Sequence, residues 1–236
     1  MIKRSVMGLV LGGLCVAGCA KTESADLLTS GIYAAITARA SGDGNTTVSA
    51  TLYVDDPNQL NFVELTGDDS LIATSGAVHQ EMRQSELGNI VSHTAQFTGD
   101  AEGTAFTVDL IRSVDHGAPA TTMTLPAGFT IAPPPAAASR NADLQLTYAP
   151  AGTGDDMVWT IAGGCITTYE AHLTNDSGVV SIPAKLLAPI AGSEAATCSV
   201  AVTLSRQRAG QLDPGYGKGG TALAEQVRQV SWSSTP

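Results

Sequence analysis

The chain has 236 residues, 43% of them hydrophobic and only 14% charged, with 12 Lys and Arg against 22 Asp and Glu for a formal net charge of −10. A charged fraction well below the ~25% of an average soluble protein excludes a disordered polyelectrolyte, and the length is ample for a buried core in one or two domains. The acidic balance and the 5% aromatic content exclude nucleic acid as a partner, because phosphates require clustered Lys and Arg and bases require stacking rings.

The first element is an export signal. Met1-Ile2-Lys3-Arg4 is cationic, and residues 6–17 are uncharged and mostly apolar. About twelve such residues rising ~1.5 Å each cannot span a ~30 Å hydrocarbon core, so the segment reads as a secretory signal rather than a membrane helix. It ends in Val16-Ala17-Gly18-Cys19, small residues directly before a cysteine. This run resembles the lipobox of bacterial lipoproteins, with Val16 where Leu is usual. The resemblance implies cleavage after Gly18, diacylation of the Cys19 sulfur and acylation of its new amine. Ala20 after the cysteine resembles the outer-membrane default of Gram-negative lipoproteins. Cleavage would remove Lys3 and Arg4, leaving 10 basic residues of the 12 against 22 acidic ones.

Residues 19–28 then read as a lipid-anchored polar tether, able to reach ~30 Å at full extension. Beyond it the dominant hydrophobic period is two. Strands are predicted at 32–39, 46–54, 61–65, 77–83, 90–97 and 103–112, separated by turns rich in Gly, Asp, Asn and Pro. Phe106, Val108 and Leu110, alternating with Thr107 and Asp109, exemplify the half-buried pattern. Pro133-Pro134-Pro135 marks a hinge. Further strands are predicted at 143–148, 157–161, 165–173, 178–182, 197–206 and 227–232, with one helical turn at 184–188. The expected fold class is all-β: two antiparallel sandwich domains, 29–133 and 134–236, after a signal peptide at 1–18. One continuous sandwich with a long crossover is the rival. Size and strand count resemble immunoglobulin-like sandwiches, although Trp159 lies six residues before Cys165 rather than about a dozen after it.

Cys165 and Cys198 are the remaining thiols of the mature chain besides Cys19. Two thiols in an oxidising compartment predict one disulfide, and closing a loop of this size contributes roughly 3–4 kcal/mol in the chain-entropy model.

Catalytic signatures are sparse. Ser177 and Ser193 lack the nucleophile-elbow pattern. Gly215 to Thr221 resembles a phosphate loop only superficially, because Gly219 follows Lys218 where Ser or Thr is required, and it reads as a flexible hairpin loop. His79 and Glu81 share a face of one predicted strand, and a short turn near 86–89 would bring His93 alongside, a candidate metal set if the register allows. The Asp-rich turns at 43–45, 55–56, 68–69 and 155–156 offer oxygen ligands for calcium without a complete loop motif. No cofactor is expected. The sequence reading is therefore a non-enzymatic binding or structural module in the bacterial envelope, held at the outer membrane through Cys19, with an envelope protein or glycan as partner. A carbohydrate- or calcium-binding sandwich is the alternative, and a hydrolase built from scattered Asp and His is a weaker one.

Overall fold

The structure, a computed structural model, describes residues 20–173 and 176–236. The signal segment at 1–18 and Cys19 lie outside the described residues. In chain order the strands are β1 (Ala20–Glu23), β2 (Ile32–Ala40), β3 (Asn45–Val54), β4 (Asn61–Glu64), β5 (Ser70–Ser75), β6 (Val78–Glu81), β7 (Arg83–Leu87), β8 (Ile90–Thr98) and β9 (Ala105–Ile111). They continue with β10 (Ala118–Thr124), β11 (Thr130–Ile131), β12 (Ala137–Ser139), β13 (Leu144–Ala149), β14 (Asp156–Gly163), β15 (Ile166–Leu173), β16 (Val179–Ile182), β17 (Cys198–Ala209) and β18 (Gly220–Thr235). The fold is all-β, and its regular helical elements are short 3-10 turns such as Ser24–Asp26, Thr29–Gly31 and Pro57–Gln59.

One large sheet runs in the order β1-β4-β3-β2-β18-β17-β14-β15, with β7, β8 and β12 joined at its side. A second sheet, β10-β9-β5-β6, faces one part of it, and a third, β11-β13-β16, faces another. Each facing pair encloses a core. The first core gathers Ile32, Ile36, Leu52, Leu71, Phe106 and Leu110. The second gathers Trp159, Ile161, Val180, Val202, Leu204 and Trp232. Strand periodicity explains both: β2 buries every second residue, Ile32 through Ala40, and β9 buries Phe106, Val108 and Leu110.

The hairpin of β17 and β18 belongs to both cores. Ala222 and Ala224 of β18 enter the first core, where β18 runs parallel to β2, and Trp232 of the same strand enters the second. Between them lies a buried polar layer. Arg206 and Gln226 sit opposite one another on β17 and β18, both fully buried. Arg206 donates to the carbonyls of Ala127 and Pro150 at 2.9 and 2.7 Å and pairs with Asp176 at 3.2 Å. Its guanidinium lies 5.0 Å from the Phe129 ring, and that of Arg228 lies 5.5 Å from it. Such rings stabilise desolvated guanidinium, so Phe129 offsets part of the cost of burying a cation at the junction.

Several local expectations change. Residues 20–28 are docked against the body rather than free. β1 pairs in parallel with β4, and Lys21 bridges Glu64 and Glu86 at 2.9 Å each. Ser24 and Thr29 are buried, and Arg112 donates to the carbonyls of Ser24 and Leu27 at 2.6 and 2.8 Å. Residues 184–188 form a turn around Lys185, with φ of 68°, instead of a helical turn, and Leu187 drops into the second core. The loop before β18 packs closely rather than waving free: a side chain at Gly217 would meet the Ser30 carbonyl at 2.6 Å. Cys165 and Cys198 are joined as expected, with Cα atoms 5.9 Å apart, beside the second core.

Candidate functional site

The segment 78–87 changes sheets midway. β6 pairs only with β5, Ser75 opposite Val78 and Ile72 opposite Glu81. The Met82 N–H still donates to the Leu71 carbonyl at 2.8 Å, and its side chain, the one apolar group between Val78 and Leu87, is buried in the first core. From Arg83 onward the chain leaves that sheet and pairs with β8, Arg83 opposite Thr94 and Leu87 opposite Ile90. The turn between Leu87 and Ile90 has two residues, and Gly88 takes the positive φ of 63° that such a hairpin needs at its first position.

This crossing opens two adjoining clefts of about 510 and 490 Å³, both lined by Glu81 and Arg83. Asp69, Gln84 and His93 line the first, and Gln80, Thr94 and Gln96 the second. In the second cleft two strand edges face each other. β8 beyond Thr94 pairs with β3 on one side, while among the described residues its other side receives no strand; β6 beyond its pairing with β5 is likewise an edge. The Gln80 amide reaches across to the Gln96 carbonyl at 2.7 Å.

The predicted residues are therefore separated by the sheet switch. The short turn that was expected exists, but it places Gln84, not Glu81, opposite His93. His79 lies on β6 with Nδ1 2.9 Å from the Thr74 hydroxyl, and Glu81 is exposed. His93 is buried on β8, Nε2 at 3.1 Å from Gln84 Oε1, and its Nδ1 makes no hydrogen bond. Because Gln84 Oε1 also accepts from the Leu65 N–H, Nε2 is the protonated nitrogen. Burial lowers the His93 pKa against the opposing pull of the Ala50 backbone, which favours the neutral ring. No group of three His, Cys, Asp or Glu is gathered in metal-binding fashion among the described residues.

The acidic turns have other employment. Asp43 accepts from the Asn45 N–H and Asp56 from that of Asn58, both as turn caps. Asp155 receives Arg208 through two nitrogens at 2.7 and 2.9 Å. Asp69 pairs with Arg112 at 2.7 Å, and both side chains are essentially inaccessible. Burial opposes the ionised Asp69, but hydrogen bonds from Ser113 and Ser24 and the Arg112 charge outweigh it and hold its pKa below the ordinary value.

A second buried polar group was not legible in the sequence. Asp109 projects from β9 with Oδ1 unpartnered, and burial, reinforced by the Asp213 charge, raises its pKa. Tyr216, 3% exposed, has a hydroxyl with no partner, and burial pushes its pKa up. Ser177 donates to the Val179 carbonyl, and Ser193 sits in a turn closed by the Ile190 carbonyl.

No family model and no curated protein matches the chain. Among solved structures it is similar to the fibronectin(III)-like modules of Clostridium thermocellum CbhA, at 12% identity over 86% of this chain and 94% of that one, with a TM-score of 0.24. It is also similar to pullulanase type I from Bacillus subtilis in complex with maltose, at 8% identity over 72% of this chain and 23% of that one, with a TM-score of 0.20. Scores at this level carry no argument about function.

Proposed function

We propose that this chain is a lipid-anchored, non-enzymatic binding module of the bacterial envelope, attached through Cys19 and receiving an extended polypeptide segment of an envelope protein. In this reading the two cores are two sandwich units that share the hairpin of β17 and β18. The observation that supports the binding role is the pair of unpaired strand edges, β6 and the far half of β8, facing one another across an open cleft. Exposed edges present rows of N–H and C=O groups that an added strand satisfies, while alternate side-chain positions set specificity. Gln80, Gln96 and Thr94 supply neutral polar contacts along the cleft, and Arg83 and Glu81 supply one charge of each sign. A protein that worked in this way would need anchoring and access rather than a nucleophile.

Photo-crosslinking in the native envelope tests it. A benzophenone amino acid at Gln96 should capture a protein, and the same probe at Thr160, on β14 with a strand paired on each side, should not. Equal capture at both positions, or capture of glycan alone, refutes the cleft as a polypeptide site. Cys19→Ser should release the protein from membranes; a variant that still sediments with them refutes the anchor.

A further inference from the structure

We infer that the end of the molecule bearing Leu60, Leu87 and Ile90 rests in a zwitterionic lipid surface, so that the protein is held in one orientation as well as attached. This rests on the Cys19 reading above. The register places these residues where the described chain starts. β1 is parallel to β4 with Ala20 opposite Asn61, so Leu60 lies beside the start of β1. Phe62 opposes Tyr53 near the end of β3, and β8 runs antiparallel to β3 with His93 opposite Ala50. The tip of the β7–β8 hairpin therefore extends toward that same end. Lys21 confirms the proximity, since its ammonium contacts Glu86, the residue next to Leu87, at 2.9 Å.

Large apolar side chains are exposed at this end among polar ones. Leu87 is 80% exposed, Leu60 49% and Ile90 45%. Leu28 and Val114, each 64% exposed, belong to the same end. Leu28 precedes Gly31, whose carbonyl accepts from the Asp55 N–H after β3, and Val114 precedes Asp115, whose carboxylate accepts from the Thr29 N–H at 2.6 Å. Three of the eight exposed large hydrophobics among the described residues thus flank the start of β1, and two more sit beside the Thr29 turn. Scattered single apolar residues are ordinary on a surface; their gathering at the anchored end is what needs an occupant.

The occupant follows from the chain outside the structure and from charge. With β1 docked, no free tether intervenes between Cys19 and the body, so acyl chains on Cys19 would bring this end against the lipid. Lys21 is already neutralised by Glu64 and Glu86, and Lys218 by Asp55 at 2.7 Å, while Asp26, Asp56 and Asp115 remain at the same end. A surface of this sign excludes anionic headgroups and admits zwitterionic ones, with the Leu and Ile side chains in the interfacial layer.

The test uses the full chain, exported and acylated in a Gram-negative host and reconstituted into phosphatidylcholine–phosphatidylethanolamine vesicles. Tryptophan is introduced by Leu87→Trp at the hairpin tip, or by Val78→Trp at the far end of β5, and the emission of the unaltered protein is subtracted. With brominated phosphatidylcholine, roughly half of the L87W emission should be lost and that of V78W should be unchanged, as for a shallow interfacial side chain. Vesicle flotation with neither probe quenched, or with both quenched equally, overturns the orientation and leaves the anchor standing. A chain that fails to float overturns both.

Discussion

Asp69→Ala isolates the clasp that docks the amino-terminal segment. In the folded protein the Asp69 carboxylate accepts from Arg112 Nε at 2.7 Å and from the Ser113 N–H and hydroxyl at 2.8 and 2.9 Å. The Arg112 guanidinium spends its remaining donors on Thr29 and on the Ser24 and Leu27 carbonyls. With the side chains 0% and 1% exposed, removing the carboxylate leaves a buried cation without its hydrogen-bonded counter-charge, and Asp115 interacts with it only at longer range. Breaking such a pair costs about 3–5 kcal/mol. At 2–4 °C per kcal/mol for a chain of this size, Tm should fall by roughly 6–20 °C. Urea titration of the chain starting at residue 20 gives the free energy, and hydrogen exchange at Leu27 and Gly31, whose amides close the 3-10 turns, reports whether the segment opens first.

The pH dependence supplies a second reading of the same variant. Because the folded pKa of Asp69 is depressed, its contribution is fully present above the unfolded value of ~3.9 and is lost as pH falls through the lower folded value. The gap between the natural protein and D69A should therefore be constant near neutrality and close under acid. A loss below about 1 kcal/mol at pH 7, the range of an exposed pair, would refute the buried-clasp account.

Three other changes have defined outcomes. Replacing both Cys165 and Cys198 by Ser should cost roughly 3–4 kcal/mol in urea titration, and reductant should cost the natural protein the same amount. Tyr216→Phe should be neutral or stabilising by about 1 kcal/mol, because the hydroxyl it removes is buried without a partner; a clear loss in Tm would reveal a bond to that oxygen. Asp109→Asn should stabilise the protein at pH 7 and raise its Tm, because it removes a charge whose Oδ1 is buried without a partner. Its sign is opposite to that of Asp69. A raised folded pKa means that ionised Asp109 opposes folding, so the advantage of the Asn variant should shrink as pH falls and the natural carboxyl takes up its proton.

Local pattern was enough to place β2, β3, β8 and β9, because each alternates cleanly between a buried and an open face. It also gave the disulfide, because compartment and cysteine number leave one pairing. It missed β5 and β10. β5 is hemmed between the Gly67-Asp68-Asp69 turn and Gly76, and β10 carries Pro119 at an irregularity in its pairing, where the sequence reads as a turn. The metal candidate failed for a different reason. The spacing from His79 to His93 is compatible with one hairpin, but Met82 enters the core and carries the chain into another sheet, a decision made by tertiary packing rather than by the residues between. The supposed tether hid its docking in the same way. Residues 20–28 are polar and look solvated, yet the cation that fixes them, Arg112, lies some eighty residues away.

Arg112 also bears on the charge balance of the surface. Charges of both signs are drawn inward, Asp69, Asp176, Asp213 and Glu225 among the acids, so the surface keeps about the acidic balance of the whole chain. Arg112, Arg140 and Arg206 are buried, and Arg208 and Arg228 spend guanidinium donors on the Leu125, Ala40 and Val227 carbonyls. All of these are Arg, whose rigid fork can satisfy several carbonyls and a carboxylate at once, whereas Lys21 and Lys218 remain in exposed or half-exposed pairs. These five Arg are thus committed to holding loops and strand ends against the two cores, while Arg39, Arg83 and Lys185 stay exposed. If the chain is anchored as proposed, an acidic body of this kind adds little electrostatic attraction for an anionic membrane, and attachment would fall to the acyl chains and to exposed apolar side chains such as Leu60, Leu87 and Ile90.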